Sequence, residues 1–215
     1  MKAFYVFYVG YFIPVFTLVP IITGFILLKQ LSKAFKMLLL YLVVSFVFNV
    51  VGSAMAEYSM NNLPLLHVYT MVEVVTIMLY YLYAFEPGRI SAWIKATIVL
   101  FPVLCIINVC FIQSPFEYNT YTRPLGALIV IIFTAAYMAM QTGFKNTKLI
   151  KRSGRLVANG FMIYFCSSLF QFLFSNVVAT HTPKIVTMMI WSIHGTFVMI
   201  MYLLFLWAFK HERSE

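Results

Sequence analysis

Charge is what this chain has least of. Only 10% of its 215 residues are Asp, Glu, Lys or Arg, where soluble domains carry roughly 25%, so a water-soluble globular domain is excluded. Acid is scarcest, with six Asp and Glu against 15 Lys and Arg. Cysteine is nearly absent too. Cys105, Cys110 and Cys166 all fall inside hydrophobic runs, and the first two share one helix at a spacing that turns them apart. That excludes a disulfide framework and a metal-type cysteine cluster. Long polar stretches are missing as well, which leaves no room for a soluble catalytic, sensory or DNA-binding domain. No lysine lies in the last span between Lys184 and Lys210, so no retinal Schiff base is expected there. No cofactor and no metal are expected.

What is present is apolar. Hydrophobic residues make up 63% of the chain, 22 of them Phe and 14 Tyr, and the mean hydropathy is +0.92. The pattern predicts an all-α membrane protein, one transmembrane domain over 1–215, with seven helices at 4–28, 37–56, 63–85, 94–112, 125–143, 156–177 and 185–209. The first span lacks an A-x-A-like cleavage site and reads as a retained helix rather than a signal peptide. Pro64, Pro124 and Pro183 stand at helix starts behind the candidate caps Asn62, Thr122 and Thr182. Pro14, Pro20 and Pro102 lie inside spans, where kinks are expected.

The net charge of +9 sits in short clusters between spans, so it reads as a topology signal and not as a nucleic-acid surface. With the C-terminus inside, the cytoplasmic side holds Lys29, Lys33, Lys36, Arg89, Lys95, Lys145, Lys148, Lys151, Arg152, Arg155, Lys210 and Arg213. Only Lys2, Arg123 and Lys184 are left outside, which predicts N-terminus out and C-terminus in. A gapless shift of 119 residues lays Thr23-Gly24-Phe25 on Thr142-Gly143-Phe144, Lys29, Lys33 and Lys36 on Lys148, Arg152 and Arg155, and Pro64 on Pro183. The expectation is a parallel 3+1+3 repeat, with units 4–85 and 125–209 and a linker helix at 94–112.

Seven helices in this order, N-out and C-in, resemble the topology of SWEET, PQ-loop and KDEL-receptor proteins, although the chain contains no Pro-Gln dipeptide. The strings LHVYTMVE at 66–73, FEYNTYTRP at 116–124 and WSIHGTF at 191–197 resemble small seven-helix membrane proteins frequent in Bacteroidota. That resemblance implies a multi-pass bacterial inner-membrane protein and carries no chemistry. The H-x-x-x-H pair of seven-helix zinc hydrolases fails here, because Val198 stands four residues after His194.

The chemistry is expected to lie at polar residues within the spans. Glu73 is the one acid near the centre of a span. A carboxyl there costs on the order of 2.5–3.5 kcal/mol on insertion scales, so it should face protein or a wet cavity. At 100° per residue, His67 and Thr70 share its helix face. Trp191 and His194 line one face of the seventh span at a similar depth, and a facing Glu73–His194 pair is expected. Asn49 on the second span and Gln171 on the sixth complete a polar lining that opens outward, with Glu57, Glu117, Arg123 and His181 at the mouth. Two uses compete. One is a small-solute or proton-coupled carrier or ligand-binding protein. The other is an intramembrane enzyme on a lipid or isoprenoid, with Glu73 or His194 as base, or a signalling or assembly component working through a protein partner. The bilayer and a small polar ligand are the expected partners.

Overall fold

The computed structural model describes residues 2–143 and 152–212. Lys145, Lys148, Lys151 and Arg213 of the topology count, and Phe144 of the duplicated tripeptide, lie outside the described residues. Among the described residues, seven helices are long and apolar enough to cross a bilayer: α1 (Ala3–Ile26), α2 (Lys33–Glu57), α3 (Leu63–Ala84), α4 (Arg89–Ile112), α5 (Thr122–Gln141), α6 (Arg152–His181) and α7 (Lys184–Glu212). This is the architecture of a multi-pass membrane protein. The ends of α2, α4, α6 and α7 reach further into polar flanks than the apolar runs foretold, while α1 stops two residues short, at Ile26. At 30 residues α6 is about 45 Å long, against a hydrocarbon core of roughly 30 Å, because a backbone remains helical wherever nothing interrupts it.

Local chemistry sets the starts and stops. The Ser32 hydroxyl accepts from the Phe35 amide at 3.5 Å and opens α2. At its far end Ser59 takes φ 56°, with Ser59 N donating to Ala56 O at 3.1 Å and Met60 N to Met55 O at 2.8 Å. That is a Schellman closure with serine at the left-handed position. Asn62 does not cap α3. Its amide donates instead to Gly52 O at 3.1 Å, tying the start of α3 back to α2, and the Leu63 amide is taken by Asn61 Oδ1 at 2.9 Å. The cap of α5 is Asn119 rather than Thr122. Its Oδ1 accepts from Thr122 N at 3.0 Å, Thr122 Oγ1 at 2.9 Å and Arg123 N at 3.1 Å.

The internal prolines act in different ways. Ahead of Pro14 the backbone of α1 widens into a π-helical stretch at Val6–Phe12, which gives room to the carbonyl that the proline ring would crowd. The chain then tightens into a turn at Thr17. In α4, Pro102 is carried inside the helix, which ends in a second π-helical segment, Asn108–Ile112.

The helices close into a ring. Each of α1, α2, α3, α5, α6 and α7 packs on the next, α7 returns to α1, and α4 lies outside against α3. The end of the bundle with the basic residues of α2, α4 and α6 is solid. Phe161 stands at its centre with Phe205 at 5.0 Å, Tyr41 at 5.6 Å, and Tyr80 and Tyr81 at 6.1 Å, ring centre to ring centre. A small residue permits this packing. A Cβ on Gly160 would stand 2.8 Å from the Phe205 ring. The opposite end is hollow. There the stretch Lys2–Phe12 of α1 packs on α7, while the main contacts between α1 and α2 fall from Ile13 onward.

Overpacking the solid end should cost stability where the hollow end is indifferent. Gly160→Leu is expected to destabilise by about 1–3 kcal/mol and Gly10→Ala, with nothing within 4 Å of its added Cβ, by close to nothing. Thermal unfolding of both variants in one detergent checks this; equal midpoints would contradict the packing described.

Candidate functional site

The hollow end contains a cavity of about 480 Å³ walled by α1, α2, α3 and α7, with Arg123 of α5 and Tyr164 of α6 reaching into it. Tyr5, Val9, Gly10, Ile13, Pro14 and Thr17 of α1 line it, and the twelve residue steps from Tyr5 to Thr17 give a depth of about 18 Å at roughly 1.5 Å per residue. A second chamber of about 50 Å³ adjoins it, and Leu66, Tyr118, Arg123 and Trp191 line both. Arg123 is partly accessible, and that surface faces these cavities.

Arg123 is the residue around which the site is built, and it was expected at the outer mouth. Its guanidinium sits 4.3 Å from the Phe172 ring centre and 5.7 Å from that of Tyr69. Such cation–π contacts are worth about 0.5–2 kcal/mol each according to how dry they are. One Nη donates a long 3.4 Å bond to Thr70 Oγ1. Arg123 starts α5 but lies below the surface because the segment from Gln113 to Tyr121 folds over it. The Gln113 amide donates to Tyr118 O and Thr120 Oγ1, both at 2.9 Å. Asn176 Oδ1 accepts from Tyr118 N at 3.1 Å. Burial pushes the Tyr118 phenol above its ordinary range, so it stays neutral at physiological pH.

Glu73 is 2% exposed and stands behind the cavity wall, not in it. Tyr69, one turn earlier on α3, forms the wall and donates its hydroxyl to Glu73 Oε1 at 2.9 Å. Having spent its one proton, that hydroxyl accepts from Ser45 Oγ at 3.1 Å. Tyr69 therefore touches both the carboxyl and the guanidinium, which feel each other's charge.

The expected Glu73–His194 pair does not form. His194 lines the cavity, but its Nδ1 bonds Ser168 Oγ at 2.9 Å, and its ring packs against Tyr164, Phe172 and Trp191. Asn49 also lines the cavity and is exposed there, its amide donating to Ser45 O in its own helix at 2.8 Å. Thr70 donates to Leu66 O at 2.9 Å and accepts from Arg123. Trp191 is shared by both chambers and lies against Tyr118, ring centres 6.2 Å apart. Gln171 lines the smaller chamber, its Nε2 buried and without a protein partner. His67 lies elsewhere, its Nε2 bonded to Glu117 O at 3.0 Å. A carbonyl only accepts, so Nε2 carries the proton. Among the described residues no three of His, Cys, Asp and Glu stand close enough to hold a metal ion.

Sequence reasoning missed Arg123, Tyr69 and Asn119 as site residues. The available signal was Asn119 three residues ahead of Thr122-Arg123-Pro124, which marks a helix start with an arginine in its first turn. No protein-family model, curated protein or solved structure matches the chain, so the geometry alone carries the functional argument.

Tyr69 supplies the donor for a carboxyl almost wholly out of water. Tyr69→Phe should lower stability by about 1–3 kcal/mol, the cost of leaving a buried acceptor unmade. Thermal unfolding in detergent measures it, and an unchanged midpoint would show that Glu73 does not depend on this bond.

Proposed function

We propose that the chain is a carrier or ligand-binding protein of a bacterial inner membrane whose cavity takes an anionic ligand on Arg123, with Glu73 as the proton-linked counter-charge. The observation that carries the reading is a guanidinium turned into a cavity of about 480 Å³, within the 300–1,000 Å³ usual for ligand sites. Its partners are two rings, one long hydrogen bond to Thr70 and the Tyr164 hydroxyl. Arginine keeps its charge and most of its donors are left for an incoming oxyanion.

Twelve of the 15 Lys and Arg, 15 less Lys2, Arg123 and Lys184, support N-terminus out and C-terminus in, so the cavity opens outward. The helix neighbours support two three-helix units joined by α4. Exchanging α1, α2, α3 for α5, α6, α7 turns the contact α1–α2 into α5–α6, α2–α3 into α6–α7, and α3–α5 into α7–α1, and all six contacts are present. Such a pair can rock about the site between them. Proton coupling has a simple origin. A proton on Glu73 removes the negative charge next to Arg123 and leaves the site net positive. Anion and proton then favour each other's binding, and by linkage each raises the other's affinity equally.

In proteoliposomes the protein should take up an anionic solute in a pH-dependent manner. Arg123→Gln should weaken binding about ten- to hundred-fold, the worth of a charged hydrogen bond. Glu73→Gln should remove the pH dependence while folding is retained. Wild-type uptake in Arg123→Gln would sink the binding site, and wild-type pH dependence in Glu73→Gln would sink the coupling.

A further inference from the structure

The two chambers that meet at Arg123 differ in chemistry. In the smaller one the protein offers donors without acceptors to match. Asn119 Nδ2 and Gln171 Nε2 are buried and have no protein partner, and both residues line that chamber together with the Arg123 guanidinium. The orientation of Asn119 is not arbitrary. Three donors fix its oxygen at the start of α5, so its nitrogen must face the other way. Together with the Arg123 guanidinium, two unpartnered amide N–H groups thus border a space too small for a whole solute, and such a donor set fits one oxyanion, a carboxylate or a phosphate.

The larger chamber leads away from that point along α1 and α2. Below Arg123 its walls include the apolar side chains of Val9, Ile13, Phe48, Val198 and Met201, with the hydroxyl-bearing Thr17, Tyr41 and Tyr202 at the floor. It is bounded sideways by the gap between the first half of α1 and the second half of α2, where α1 packs on α7 instead. Such a gap faces hydrocarbon in a membrane. In the outward-opening orientation, its charged end is toward the headgroup level, and the side of the cleft carrying Val9, Ile13 and Phe48 is toward the bilayer middle. This is the polarity of an outer-leaflet lipid.

Resting on the anion-binding reading above, we propose that the ligand is an amphiphile with a single oxyanion head. The head is held by Arg123, Asn119 and Gln171, and the hydrocarbon tail lies in the α1–α2 cleft, which it enters sideways from the bilayer.

Trp191 provides the readout, since it lines both chambers while Trp93 and Trp207 are exposed on the outside. The full chain carrying Trp93→Phe and Trp207→Phe, in nanodiscs of zwitterionic lipid, is titrated with acetate and inorganic phosphate, with dodecanoate and dodecyl phosphate, and with dodecanol. We expect dodecanoate or dodecyl phosphate to saturate a Trp191 signal at least about a hundred-fold below acetate and phosphate; each methylene buried from water contributes about four-fold. Dodecanol should give no saturable signal. Gln171→Leu should leave the melting temperature unchanged, because the amide has no protein partner, yet weaken the long-chain anions about ten-fold. Gly52→Trp, which fills the cleft wall, should weaken dodecanoate while sparing acetate. Equal affinity for acetate and dodecanoate, both lost in Arg123→Gln, would overturn the amphiphile and leave the anion site standing. Saturable binding of dodecanol as tight as that of dodecanoate, or no Arg123-dependent binding of any probe, would overturn both.

Discussion

A guanidinium and a carboxyl share the interior of one bundle, and neither can be left without partners in a medium of low dielectric. Burying a charge without partners is costly, so the surrounding helices must supply what water would. The compensation runs through Tyr69, which gives its proton to Glu73 and its ring face to Arg123. Ser45 of α2 sets the direction of that proton by donating to the same oxygen. Phe172 of α6 covers the other side of the guanidinium. Four helices are thereby held to one point, and α3, which provides both Tyr69 and Glu73, lies at the junction of α2, α4 and α5.

That constraint accounts for the division of the molecule into a solid and a hollow half. At the basic end, rings interlock around Phe161 at 5.0–6.1 Å, and the glycine at 160 lets ring and backbone meet. Dispersion holds that half together, since in a bilayer there is no water between helices to expel. At the other end α1 leans on α7 and parts from α2. There the packing gives way to space, and the polar groups are spent on the lid of the site: Gln113, Asn119 and Asn176 pin the segment over Arg123. A rigid half supporting an open half is what a binding site within a bundle requires.

The helices were legible because a long apolar run between basic flanks has few other uses, and α3 begins at the predicted residue, Leu63. Their ends were less so, because hydropathy marks the bilayer and not the backbone; α6 continues to His181 where the apolar run stops at 177. Glu73 stood out by its rarity, and it is nearly inaccessible. Its partner could not be found by depth alone. His194 lies at a similar level along α7, yet its ring nitrogen finds Ser168, because rotation about the helix axis and not depth decides which residue a side chain meets. Arg123 was placed at the mouth by its position in the loop ahead of the fifth span. What lowers it into the bundle is the fold of residues 113–121 over it, held by side-chain amides whose pairing no periodicity records.

The shielding of Glu73 by Tyr69 bears on what the site can distinguish. A carboxyl in the wall of the cavity would meet the anion directly and repel it. Set back behind a phenol, it acts on Arg123 only through its field, while the donors that face the ligand stay the same in either protonation state. Affinity can then follow the proton with no rearrangement of Arg123, Asn119 or Gln171. On the proposed reading, geometry selects the head of the ligand, and Glu73 sets how tightly it is held. The separation depends on the one proton that Tyr69 commits to the carboxyl, which is why the Ser45 hydroxyl on α2 belongs to the site although it never faces the cavity.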